Sequence, residues 1–75
     1  MAANSFVMDM RKLVGDNVCR IRKEKELTQE QLSELSGLSQ QYISDLERGK
    51  RNPTIVTIYE LAMAMKVGHL ELLSP

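Results

Sequence analysis

Apolar residues recur along this chain at intervals of three and four, and short polar links interrupt the rhythm. Val14, Val18 and Ile21 keep that spacing, with Met10 a turn earlier and Lys25 a turn later. Residues so spaced share one face of a helix, which predicts a first helix over 6–25. Glu26-Leu27 breaks the pattern. Thr28 then offers a capping hydroxyl, and Gln31 three positions on completes a capping box. A second helix is expected over 29–36, burying Leu32 and Leu35 and ending at Gly37. Ser39 caps a third helix over 40–48, with Ile43 and Leu46 inward and Gly49 as its stop. Asn52-Pro53 marks a loop, and Thr54 caps a fourth helix over 55–65. Its inner face reads Ile55, Ile58, Leu61, Ala62 and Met65. A last helical turn over 69–73 would close the core with Leu70 and Leu73. The β-branched run 55–58 lies inside a capped helical period, so no strand is expected. The pattern predicts an all-α fold: one compact domain of five helices over 1–75.

Composition narrows the class. Aromatics are 4% of the chain and there is no Trp, so aliphatic side chains carry the packing, which favours helices. A chain of 75 residues buries a small core, and helix packing or dimerisation has to make up the difference. Cys19 is the single cysteine, so no internal disulfide is available. The first residues carry no signal-peptide pattern, and no run approaches the roughly 18 apolar residues of a membrane span. A reduced, cytoplasmic, nucleoid-associated setting without membrane contact is expected. His69 stands alone, and Asp45 and Glu47 fall on different faces of the third helix. With no zinc spacing, phosphate-cradling glycine loop or nucleophile motif, no enzymatic activity, metal or cofactor is expected.

Ten Lys and Arg balance ten Asp and Glu, so the distribution of charge matters more than its sum. Arg11, Lys12, Arg20, Arg22, Lys23 and Lys25 crowd the first helix, and Arg48, Lys50 and Arg51 follow the third. Such a chain can present one basic face. Helices 29–36 and 40–48, joined through Gly37-Leu38-Ser39, have the spacing of a helix-turn-helix. Gln40 and Gln41 sit together on the first turn of the second of these. A glutamine amide pairs bidentately with adenine N6 and N7 in the major groove, and a recognition helix touches bases mainly with its N-terminal residues.

The stretches Leu27-Thr28-Gln29-Glu30-Gln31-Leu32, Gly37-Leu38-Ser39 and 42–53, the last containing Leu46-Glu47-Arg48-Gly49-Lys50-Arg51-Asn52-Pro53, together with 14–18, Ile21-Arg22 and 61–65, carry a resemblance. Over 14–73 the chain resembles the Cro/C1-type (XRE-like) helix-turn-helix family of phage repressors and restriction–modification controller proteins, with 1–13 as an N-terminal extension of the first helix. The resemblance implies a lambda-repressor-like domain that binds double-stranded DNA as a homodimer and regulates transcription, with RNA polymerase as a further contact if it activates. It implies base reading by Gln40, Gln41, Ser44 and Asp45, the last accepting from cytosine N4. It implies backbone contacts from Gln29, Tyr42, Lys50, Arg51 and Asn52, and a structural ion pair between Arg22 and Glu47. Glu26 and Lys66 stand where the family often has glycine, which implies left-handed residues or reshaped turns there. Val56, Tyr59 and Met63 form a second apolar stripe on the fourth helix, read as a dimer surface; packing on Phe6, Val7 and Met8 of the same chain is the alternative. The rival function is a protein-interaction module, such as an antitoxin or co-regulator.

Overall fold

The computed structural model describes residues 9–75, and four α-helices and one 3-10 turn account for most of them. Helix α1 spans Met10–Glu24, α2 Gln29–Ser36, α3 Gln40–Glu47 and α4 Ile55–Met65; the 3-10 turn is His69–Leu72. There is no strand among the described residues.

Side-chain caps set the starts of all four α-helices. Asp9 accepts from the Lys12 amide, Ser39 from Tyr42 at 3.0 Å and Thr54 from Thr57 at 3.1 Å. Thr28 and Gln31 exchange both bonds of a capping box, at 3.0 and 2.8 Å. Each cap satisfies an amide that has no partner inside its helix, typically stabilising by about 1 kcal/mol. Two helix exits are left-handed without glycine: Glu26 has φ 59° and Lys66 φ 61°.

The buried core is Val14, Val18, Ile21, Leu32, Ile43, Leu46, Ile58, Leu61, Ala62, Met65 and Leu72. It lies where α1 packs on α3, α2 on α4, and the 3-10 turn on α1 and α4. Gly15 lets α1 lie directly against the backbone at the end of α3. A Cβ there would run into the backbone carbonyl oxygen of Leu46, so any side chain would push α1 off α3. Asn17, also buried, donates to the carbonyls of Leu72 at 3.0 Å and Ser74 at 2.8 Å, tying the C-terminal turn to α1.

Several expectations need correction. The fifth element is a 3-10 turn, so the described residues hold four α-helices rather than five. Helix α1 ends at Glu24 and α3 at Glu47, a residue short of the expected ends. The expected start at Phe6, and the packing of Phe6, Val7 and Met8, lie outside the described residues. Leu35, Ile55 and Leu70 are exposed, at 59, 85 and 67%. Leu35 and Ile55 lie on turns that look past the core, and in the 3-10 turn Leu72 lies inside in place of Leu70. Met10 and Lys25 also face solvent, so the inner face of α1 runs only from Val14 to Arg22.

Candidate nucleic-acid interface

Helices α2 and α3, packed on α4 and α1 respectively, carry the polar face that matters. The link Gly37-Leu38-Ser39 reverses the chain between α2 and α3, and Leu38 packs on the core while Ser39 starts α3. Ile43 and Leu46 anchor the inner face of α3. The helical period then turns Gln40 and Gln41 outward, and both are exposed.

Behind α3 lies a nearly dry ion pair. Arg22 Nε donates to Glu47 Oε2 at 2.7 Å and Nη2 to Oε1 at 3.0 Å, a two-pronged contact whose side chains are 10 and 5% exposed. Arg22 Nη1 also donates to the Leu27 carbonyl at 2.8 Å, and Gln29 Nε2 donates to Glu47 Oε1 at 3.0 Å. Four pieces of the chain thus meet around one ion pair: α1, the α1–α2 link, the start of α2 and the end of α3. Burial pushes the Glu47 carboxyl up. The hydrogen bonds from Arg22 and Gln29 and the Arg22 charge outweigh it, and the net value lies below the ordinary one. The hydrogen bond to Glu47 raises the Arg22 guanidinium further, against its own burial. Gln29 keeps one amide hydrogen beyond the bond it gives Glu47. It is half-buried on the first turn of α2, where unpaired backbone amides favour an anion.

In front of α3 lies a second network, in which two solvent-exposed arginines close over a half-buried carboxylate. Asp45 Oδ1 accepts from Gln41 Nε2 at 3.0 Å and from Arg48 Nη2 at 3.0 Å, and Oδ2 accepts from Arg51 Nη2 at 3.4 Å. The Arg51 guanidinium also stands over the Tyr42 ring, 5.2 Å from its centre. The hydrogen bond from Arg48, joined by those from Gln41 and the charge of Arg51, holds the Asp45 carboxyl below its ordinary value. The chain after α3 folds back to make this possible: Gly49 at φ 76° turns it, and the Lys50 amide donates to the Asp45 carbonyl at 2.9 Å. Lys50 and Asn52 are exposed on that loop, and Ser44 is half-buried on the second turn of α3.

The residues singled out in the sequence therefore fall into three places. Gln40, Gln41, Tyr42, Ser44, Asp45, Lys50, Arg51 and Asn52 lie on α3 and the loop that follows it. Arg22, Glu47 and Gln29 form the ion-pair cluster behind. Val56, Tyr59 and Met63 lie apart on α4, exposed at 64, 51 and 59%. Val56 and Tyr59 join Ile55, His69 and Leu73 around an apolar cavity of about 340 Å³, and Met63 continues the face toward Leu35. Sequence reasoning missed the part played by Arg48 and the grip of Gln41 on Asp45. The i, i+3 and i, i+4 spacings of 45–48 and 41–45 were the available signal. No group of residues suited to hold a metal occurs among the described residues.

Comparison with known proteins gives the arrangement its context. The helix-turn-helix family model HTH_3 matches residues 20–72. An uncharacterized HTH-type transcriptional regulator, y4dJ of Sinorhizobium fredii (strain NBRC 101917 / NGR234), is 63% identical over 68 residues, covering 91% of this chain and 88% of its own. The crystal structure of the restriction-modification controller protein C.AhdI from Aeromonas hydrophila aligns with a TM-score of 0.80 at 39% identity, covering 83% of this chain and 94% of that one. The controller protein C.Esp1396I, solved as a tetramer in complex with its natural 35 base-pair operator, aligns with a TM-score of 0.78 at 33% identity, covering 84% of this chain and 83% of that one. The chain belongs to the helix-turn-helix family and is a transcriptional regulator homologous to restriction–modification controller proteins.

Proposed function

We propose that the protein binds double-stranded operator DNA sequence-specifically as a homodimer, in the manner of a restriction–modification controller protein. The reading rests above all on the joint exposure of Gln40 and Gln41 on the first turn of α3, beside the Arg51–Tyr42 stack and Arg48. Helix α3 enters the major groove. Gln40 and Gln41 read base edges, with Ser44 and Asp45 a turn further on. Gln29, Tyr42, Lys50, Arg51 and Asn52 hold the sugar–phosphate backbone and fix the register without reading sequence. The operator bound to C.Esp1396I supports this use of the fold.

Two copies meet through Val56, Tyr59 and Met63 of α4 and the C-terminal turn, and an operator of two half-sites about 34 Å apart follows from that symmetry. RNA polymerase joins as a partner if the bound dimer activates. A mobility-shift titration over a salt series tests the reading. The expected result is duplex binding whose log affinity falls linearly with log salt, by about 0.9 per phosphate contact. Duplex binding that is absent, or indifferent to salt, contradicts it. The exposed apolar residues Ile55, Val56 and Leu70 favour one other reading, a module that chiefly binds another protein. Purification as a stable heterocomplex, with duplex binding lost once the partner is removed, decides for that one.

A further inference from the structure

A carboxylate at the centre of a face that grips a polyanion is out of place, because phosphates repel it. Asp45 is nonetheless there, with its side chain only 18% exposed and three donors around it. Those donors are the ones the face would otherwise offer to DNA: the Gln41 amide, and the guanidinium groups of Arg48 and Arg51. To a guanidinium, a carboxylate and a phosphodiester are similar partners, both anionic and both able only to accept. Asp45 therefore competes with DNA for the cationic rim of its own protein.

We propose that Asp45 is a specificity filter: its carboxylate occupies Gln41, Arg48 and Arg51 in the free protein and gives them up only where the base lying directly opposite it is cytosine or adenine, whose exocyclic amino group can donate to it. The inference rests on the DNA-binding reading above. Cytosine N4 and adenine N6 are the amino groups that the major groove displays. Where one of them faces Asp45, it replaces the departing donors and the carboxylate stays paired. Where guanine O6 or N7 or thymine O4 faces it, acceptor meets acceptor inside the field of the phosphates. Release of the rim then leaves an anion without a partner, and an unpaired charge is far more costly than a lost neutral contact. The rim consequently stays on Asp45 and the backbone contacts weaken. The penalty falls on the wrong sequences alone, so the device widens the gap between operator and bulk DNA without adding any contact to the operator.

The test uses the full chain, a duplex selected from a random pool on the wild-type protein, and unselected random duplexes of the same length. Affinities for both are measured by fluorescence anisotropy over a salt series for wild type, Asp45→Asn and Asp45→Glu. Asp45→Asn is expected to bind the random duplexes about three- to tenfold more tightly. Its salt slope on them should steepen by roughly one to two, as Arg48 and Arg51 become available to phosphate. Affinity for the selected duplex should rise less, so the specificity ratio falls. Asp45→Glu keeps the charge and is expected to keep the weak random binding. Selection repeated on Asp45→Asn should lose the preference for cytosine or adenine at one position per half-site. An unchanged ratio and slope in Asp45→Asn, or Asp45→Glu behaving like Asp45→Asn, overturns the filter while leaving DNA binding intact. Failure of the wild type to show salt-sensitive binding overturns both.

Discussion

Arg22 and Glu47 are 25 positions apart in sequence, and their contact ties α1 to the end of α3. Their charges are almost dry, and removing one partner strands the other. Arg22→Ala should therefore destabilise the fold by about 3–5 kcal/mol, read from urea unfolding. The same cluster makes stability depend on pH. The Glu47 carboxyl lies below its ordinary 4.5 in the folded chain, so the folded state holds fewer protons than the unfolded one. The stabilisation is present above about pH 4.5 and fades as pH falls through the folded value. A urea midpoint followed from about pH 6 to pH 3 should drop, and Glu47→Gln should flatten that limb while lowering the plateau. Lys66, left-handed at φ 61° at the exit of α4, bears a steric cost of about 1 kcal/mol that glycine lacks. Lys66→Gly should raise the midpoint without touching α3; a fall instead would mean that the side chain makes up for its backbone.

At the scale of elements, the helices were legible because each carries its own start signal and its own period. Thr28, Ser39 and Thr54 mark the starts of α2, α3 and α4, and all three cap. Periodicity shows which residues share a face but not how wide a strip of that face is covered. Leu35 and Ile55 sit at core-like spacings and still face water, because no element among the described residues covers them. In the 3-10 turn Leu72 is buried and Leu70 faces solvent, because four residues of turn are too few for a period to show which of them points inward. The exposure of Gln40 and Gln41 followed from the period of α3 alone. The Arg51 arm of the Asp45 network did not, since it requires the loop after Gly49 to fold back and bring Arg51 onto Tyr42. Asn17 was silent in the sequence for a similar reason, its partners being backbone carbonyls 55 and 57 positions away. Lys50 on that loop is read as a backbone contact. Lys50→Ala should weaken binding to every sequence to a similar extent and make the salt slope shallower by about 1, measured on selected and random duplexes.

For the whole molecule, the neutral formal charge and the small core point the same way. On the proposed reading a monomer of this size offers one short helix to the groove and little long-range attraction for DNA, which is the reason for proposing a dimer. Val56, Tyr59 and Met63, exposed on α4, form the surface proposed above for the contact between copies. Tyr59→Asp should shift the protein to a monomer in sedimentation equilibrium and lower operator affinity at least tenfold, with the helical content unchanged; a dimer that survives it would place the contact elsewhere. The most direct measurement concerns the two amides. The ratio of affinities for a selected duplex and for random duplexes, at one fixed salt concentration, compares wild type with the Gln40→Ala, Gln41→Ala double variant. Each bidentate contact to a base discriminates by about 1–3 kcal/mol, so the ratio should fall at least tenfold while random-duplex affinity stays within about twofold. A ratio that does not move, or a loss shared equally by both duplexes, would contradict base reading by the first turn of α3.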